Sequence, residues 1–122
     1  MCANQLSSAL IIEDDPELAL IFSNALTVSG FETEIITDGL VAQQQLQTVT
    51  PDVILLDLHL PNVMGKDLFD QIRANPRLSD TKVIVATADS RMATQMKETA
   101  DLVLLKPVGF RELRDIVQQF QF

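Results

Sequence analysis

The chain has 122 residues, 47% hydrophobic and 21% charged, and 17 acidic against 9 basic side chains give a net charge of −8. This length fits one domain with a real core, and the acidic balance disfavours nucleic acid, whose phosphate backbone requires a basic face. No apolar run nears the ~20 residues of a membrane span, there is no basic-then-apolar leader, and the lone Cys2 has no disulfide partner, so a cytoplasmic setting is expected.

Residues 1–8, Cys2 among them, are expected to fray, with the domain covering 9–122. Ala9 to Ile12 is a short apolar run ending in Glu13-Asp14-Asp15-Pro16, which predicts a buried strand and a turn. Leu18, Ile21, Phe22, Ala25 and Leu26 then recur at helical spacing. Asp15 is placed as N-cap, Pro16 at the first helical position and Glu17 in the first turn. Gly30 is a C-terminal stop, Phe31 to Ile36 a second strand, and Thr37-Asp38-Gly39 a turn. Leu40 to Val49 reads as a weaker helix on Leu40, Val41, Leu46 and Val49, with Gln43-Gln44-Gln45 as a solvated face.

Val53 to Leu56 is an unbroken apolar run between Thr50-Pro51 and Pro61-Asn62. Short, partly β-branched and bounded by turn signals, it predicts a strand buried on both faces, as in a parallel sheet covered by helices. Leu68, Phe69 and Ile72 mark a helix ending before Asn75-Pro76, and Lys82 to Thr87 is a fourth strand. Met92 to Thr99 is a short helix with Met92 and Met96 inward, as methionines at that spacing usually are. Leu102 to Leu105 is a fifth strand stopping at Lys106-Pro107, and Phe110, Leu113, Ile116, Val117 and Phe120 form the stripe of a last helix. Strands alternating with helices predict an α/β domain with right-handed crossovers.

Parallel strands all end at one edge of their sheet, where open α/β sheets bind ligands. Glu13 and Asp14 follow strand one, Asp57 ends strand three, Thr87 ends strand four and Lys106 follows strand five. Packed carboxylates disfavour ionisation unless a cation relieves them, and hard oxygen donors suit Mg²⁺ or Mn²⁺. Beside such a metal a carboxylate can attack phosphorus and form an aspartyl-phosphate, with metal and lysine neutralising the transferring group.

With IIEDD, DVILLDLHLPNVMG, VIVATA and LLKP in this order, the chain from Ala9 to Phe120 closely resembles the receiver domain of two-component response regulators. The resemblance implies a flavodoxin-like receiver fold, a five-stranded parallel sheet of order 2-1-3-4-5 with helices on both faces, and a cis peptide at Lys106-Pro107. It implies Asp57 as phospho-acceptor, with the phosphoryl group coming from a histidine kinase or histidine phosphotransfer protein. Asp14 would bind Mg²⁺ directly, Glu13 through water, and His59 through its backbone carbonyl. Thr87 would donate its hydroxyl to the phosphoryl group and Lys106 would pair with it. His59, Ala88 and Asp89 occupy positions that tune acyl phosphate lifetime, and His59 and Asp89 are expected to approach each other across the opening. Such a domain catalyses only its own phosphorylation and dephosphorylation and signals through an effector domain or protein, not through nucleic acid or a membrane.

Two departures bear on the switch. Receivers usually carry Tyr or Phe where Val103 stands, three residues before the lysine, and Thr87 to Lys106 is about three residues shorter than usual, nearly one helical turn. Fully reversing a two-state population takes ~5.5 kcal/mol of differential binding, and a charge-assisted hydrogen bond from Thr87 contributes about 1.5–3. Around Val103 and Pro107 a small or unconventional response is therefore expected. Other readings of the same residues are a pseudo-receiver that only binds partners and an aspartyl phosphatase, which usually wants an acid/base carboxylate where His59 stands. A flavin binder is a further reading, though Glu13-Asp14 would repel its phosphate.

Overall fold

The computed structural model of the chain describes residues 7–119. Its strands are β1 (Ser7–Ile12), β2 (Phe31–Ile36), β3 (Val53–Asp57), β4 (Lys82–Thr87) and β5 (Leu102–Leu105). All pair in parallel, in the order β2-β1-β3-β4-β5. The helices are α1 (Pro16–Val28), α2 (Gly39–Gln45), α3 (Gly65–Ala74), α4 (Ser90–Met96) and α5 (Phe110–Gln119), with a 3-10 turn at Pro76–Leu78. No described helix is long and apolar enough to cross a membrane.

Successive strand side chains point to opposite faces, and that alternation divides the core in two. Val53 and Leu55 join Ile11 and Ile84 against Phe22 and Leu26 of α1 and Leu113 of α5. Ile54 and Leu56 join Ile12 and Val85 against Leu68 and Ile72 of α3 and Met96 of α4. Because β3 is central and covered on both sides, every one of its residues is buried, which explains its unbroken apolar run. Burying each of these side chains contributes about 1.5–3 kcal/mol.

Caps set the helix phases. Asp15 Oδ1 accepts from the N–H groups of Glu17 (3.0 Å) and Leu18 (3.4 Å), with Pro16 at the first helical position. Asp38 caps α2 in the same way through Leu40 (2.7 Å) and Val41 (3.3 Å). Gly30 follows α1 with φ 99°, a backbone that a side chain would strain. The Lys106-Pro107 peptide is cis, as the resemblance implied.

Several expectations are corrected. β1 begins at Ser7, not Ala9, because Ser8 pairs with Glu32 and its N–H donates to the Asp52 carboxylate at 2.7 Å. α2 is shorter than Leu40–Val49 and rotated: Ala42 and Leu46, four apart on one face, are buried, while Leu40 and Val41 are exposed. Gln43 and Gln45 are half-buried and only Gln44 is fully solvated. In α1, Ala19 is buried and Ile21 exposed. α4 starts at Ser90, where Asp89 caps it, and ends at Met96 rather than Thr99. Met96 is buried and Met92, partly buried, packs against the same core cluster, both inward as expected. Cys2 and Phe120 lie outside the described residues.

The shortened α4 is fastened at its far end by Asp101. Its Oδ2 accepts from Val83 N–H and from Arg73 Nη2, each at 2.7 Å. Arg73 also donates to the carbonyls of Thr81 and Thr99, so the end of α3 holds both the start of β4 and the α4–β5 connection. Burial pushes the Asp101 carboxyl up, but the Val83 N–H and the Arg73 guanidinium outweigh it and hold the group below its usual range. A depressed folded-state value means the stabilisation is present above the unfolded value near 4 and is lost as pH falls through the folded one. Asp101→Asn is expected to lower stability in urea by about 1–3 kcal/mol at pH 7, with the gap to the parent closing below about pH 4.

Candidate functional site

The carboxyl edge of the sheet gathers the charged groups. Asp57 is the last residue of β3, Glu13 and Asp14 follow β1, Thr87 ends β4 and Lys106 follows β5. Lys106 is hung on its neighbour strand by its own N–H, which donates to the Thr87 carbonyl at 2.8 Å. Glu13 is likewise anchored to β2 through the Ile36 carbonyl at 3.0 Å. Glu13 is 1% exposed and Asp57 2%, whereas Asp14 faces solvent.

Carboxylate oxygens of Glu13, Asp14 and Asp57 lie within 4.8 Å of one another. Lys106 Nζ sits 2.8 Å from Glu13 Oε1 and 3.2 Å from Asp57 Oδ1, so two buried acids share one ammonium. Asp57 Oδ1 also accepts from the His59 N–H at 3.1 Å, and Glu13 Oε2 from the Asp15 N–H at 3.2 Å. Burial pushes Glu13 up to about 7, Lys106 pulls it partly back, and the Asp57 charge pushes it up again. Burial lowers Lys106, but its hydrogen bond to Glu13 and the charges of Asp57 and Glu13 outweigh this and raise it. One cation against three carboxylates leaves the cluster negative, and a donor set made of carboxylates fits a hard divalent ion.

Thr87 is fully buried, and its Oγ1 accepts from the Asp89 N–H at 3.0 Å. His59 Nε2 comes to 3.4 Å from the same oxygen. The Asp89 carboxylate turns instead to the N–H groups of Arg91 (2.9 Å) and Met92 (3.2 Å) as the cap of α4. Among the described residues no hydrogen bond or ion pair joins His59 to Asp89, and Ala88 is exposed. Against the expectation that they meet, the imidazole is drawn to Thr87 and the carboxylate to a helix end. Val103 pairs with Val85 in the sheet and packs, partly buried, against the core on the α3–α4 side, just before Lys106 and Pro107.

Gly65, and Asn62 and Gly39, which the sequence marked only as turn residues, shape the loop after Asp57. Gly65 donates to the Leu58 carbonyl at 3.2 Å, and a Cβ there would overlap Leu58 Cα and come 2.6 Å from the Asp57 carbonyl oxygen. Asn62 has φ 73° and its Nδ2 donates to Asp38 Oδ2 at 2.5 Å, while Gly39 N–H reaches the Pro61 carbonyl at 3.3 Å. The start of α2 is thereby latched to the loop after Asp57. Asn within a Pro-Asn turn signal was the available clue, since Asn tolerates left-handed backbone.

A family model described as the response regulator receiver domain matches residues 9–118. The chain is 37% identical over 111 residues to the sensory transduction protein RegX3 of Mycobacterium tuberculosis, covering 88% of this chain and 48% of that protein. It is 32% identical over 104 residues to the DNA-binding response regulator MtrA of Mycolicibacterium smegmatis, covering 85% and 46%. The chain thus spans about half the length of these relatives. Among solved structures it is similar to a CheY-like receiver domain from Methylobacillus flagellatus, with TM-score 0.82, 29% identity and coverage of 96% and 100%. It is also similar to the Mn²⁺-bound form of response regulator Rcp1, with TM-score 0.78, 28% identity and coverage of 93% and 90%.

The raised Glu13 group ties stability to pH. Its folded value lies above the unfolded one, so its contribution is full below about 4.5 and is lost as pH rises through about 7. In metal-free buffer, urea unfolding of the parent is expected to show a loss of about 1–3 kcal/mol between pH 5 and pH 8. Glu13→Gln is expected to flatten that slope.

Proposed function

The chain belongs to the response regulator receiver domain family of two-component signalling, and from that premise we propose that Asp57 is its phosphoryl acceptor. The observation that carries the reading is the cluster itself: three carboxylates with oxygens within 4.8 Å, and Lys106 Nζ 3.2 Å from Asp57. The donor is a phosphohistidine on a histidine kinase or phosphotransfer protein. An Asp57 carboxylate oxygen attacks phosphorus, the phosphorus–nitrogen bond breaks, and the imidazole leaves and takes up a proton.

Each neighbour has a task. Asp14 and Asp57 would hold Mg²⁺ directly, Glu13 through water and His59 through its carbonyl; Mn²⁺ could substitute, as the Mn²⁺-bound relative supports. The ion supplies positive charge for the phosphoryl oxygens. Lys106 leaves its bridge between Glu13 and Asp57 to pair with the phosphoryl group, and Thr87 turns its hydroxyl from His59 and the Asp89 N–H towards it. His59, on the solvent side of Thr87, shields the acyl phosphate from water, with Ala88 and Asp89 setting the width of the opening. Apart from its own phosphorylation and dephosphorylation the domain performs no catalysis. It acts in the cytoplasm by protein–protein contact, and its net charge of −8 argues against nucleic acid binding by this domain.

Two observations favour a second reading, a pseudo-receiver. Val103 stands where a swinging ring is usual, and α4 is only seven residues long. Acetyl phosphate with Mg²⁺, followed by intact-mass measurement, separates the two. The parent is expected to gain one phosphoryl mass, with Asp57→Asn and metal-free parent gaining none; an unmodified parent would leave the pseudo-receiver.

A further inference from the structure

The sheet order leaves β2 with a single neighbour, β1. The Ile36 carbonyl accepts from the Glu13 N–H, so Glu32, Glu34 and Ile36 turn their backbone groups inward. Alternation then points the N–H and C=O groups of Thr33 and Ile35 out of the sheet, where an edge strand can pair with another chain. The side chains divide in the same way. Thr33 and Ile35 lie on the α1 face, where the Thr33 and Ser23 hydroxyl oxygens are 2.7 Å apart. Because α1 runs back against β2, the turn before Ser23 brings Leu20 beside Ile35, and the two are 56% and 38% exposed. Glu32 and Glu34, both exposed, lie on the α2 face opposite Ser8 and Leu10. With Val49 and Pro51 these four line a groove of about 400 Å³. Among the described residues no ion pair reaches either glutamate.

One face of this edge is therefore acidic and the other apolar. A second copy of the chain fits it poorly: β2 laid antiparallel on β2 about Thr33 sets Glu32 against Glu34, and like charges directly opposite are destabilising. The other sheet edge, β5, is four residues long and carries no charge. We propose that β2 is a strand-addition site for an extended partner segment in which basic residues alternate with apolar ones. The basic side chains reach Glu32 and Glu34, laying their aliphatic stems in the groove. The apolar ones sit on Ile35 and Leu20, and the partner's main chain pairs with Thr33 and Ile35. Asp57 takes no part.

The probe is a peptide of alternating lysine and valine, blocked at both ends and about six residues long, the usual length of a strand. It is titrated into ¹⁵N-labelled full chain and followed by NMR. Saturable shifts are expected at Leu20 and from Glu32 to Ile35, with amide exchange at Thr33 and Ile35 slowed roughly tenfold. Asp57→Asn is expected to bind as the parent does. Glu32→Gln with Glu34→Gln is expected to weaken the peptide roughly fivefold, and Glu32→Lys with Glu34→Lys to prefer an alternating glutamate–valine peptide. A peptide of the same composition with its lysines in one block keeps the charge but loses the alternation, and is expected to bind more weakly. No saturation up to the solubility limit, shifts centred on Asp14 and Asp57, unchanged exchange at Thr33 and Ile35, equal binding of the block peptide, or self-association of the parent through β2 would each overturn the proposal.

Discussion

Lys106 reaches from the end of β5 to 2.8 Å from Glu13 and 3.2 Å from Asp57, two side chains with almost no access to water. Removing a carboxylate from water costs several kcal/mol, and a buried pair survives only with good geometry and further hydrogen bonds. Those are present: Asp57 has the His59 N–H and Glu13 the Asp15 N–H. The ammonium therefore reaches past β4 and ties the end of β5 to the ends of β1 and β3. The site holds stored electrostatic tension, evident in the raised Glu13 carboxyl. That tension gives a divalent cation something to relieve, which links packing to the proposed chemistry.

The loop and helix ends around that charge are tied to it rather than free. Gly65 lies too close to the Asp57 backbone to carry a side chain, so α3 starts directly on the exit of β3. Asn62 and Asp38 couple the same loop to α2. On the other side, Thr87 Oγ1 holds the Asp89 N–H while Asp89 caps α4. A turn of the Thr87 hydroxyl would thus release the first residue of α4's cap directly. This backbone contact joins the site directly to the start of α4. The α4–β5 connection is held by Arg73 and Asp101.

The sheet was legible because β3 sits at its centre. Burial on both faces demands continuous apolar residues, and β-branched side chains between Pro-containing turns leave little else for Val53 to Leu56 to be. The site followed from topology: once strands are parallel, Glu13, Asp14, Asp57, Thr87 and Lys106 must share an edge. Side-chain partners were less legible. Asp89 could be counted as facing His59 only until its role as a cap was visible, because a capping aspartate and a site aspartate look alike in sequence. The phase of α2 was misread for a similar reason. Leu40 and Val41 are apolar but adjacent, and Asp38 rather than hydrophobicity sets the helix so that Ala42 and Leu46 turn inward.

The most direct test of the shared ammonium is the pH dependence of urea unfolding for Lys106→Met in metal-free buffer. The variant is expected to fall below the parent by about 3–5 kcal/mol at pH 8, where both acids are buried without a counter-charge. The gap should narrow towards pH 5 as Glu13, whose group lies at about 7 in the parent, takes up a proton. A small gap that stays constant from pH 5 to pH 8 would contradict the account.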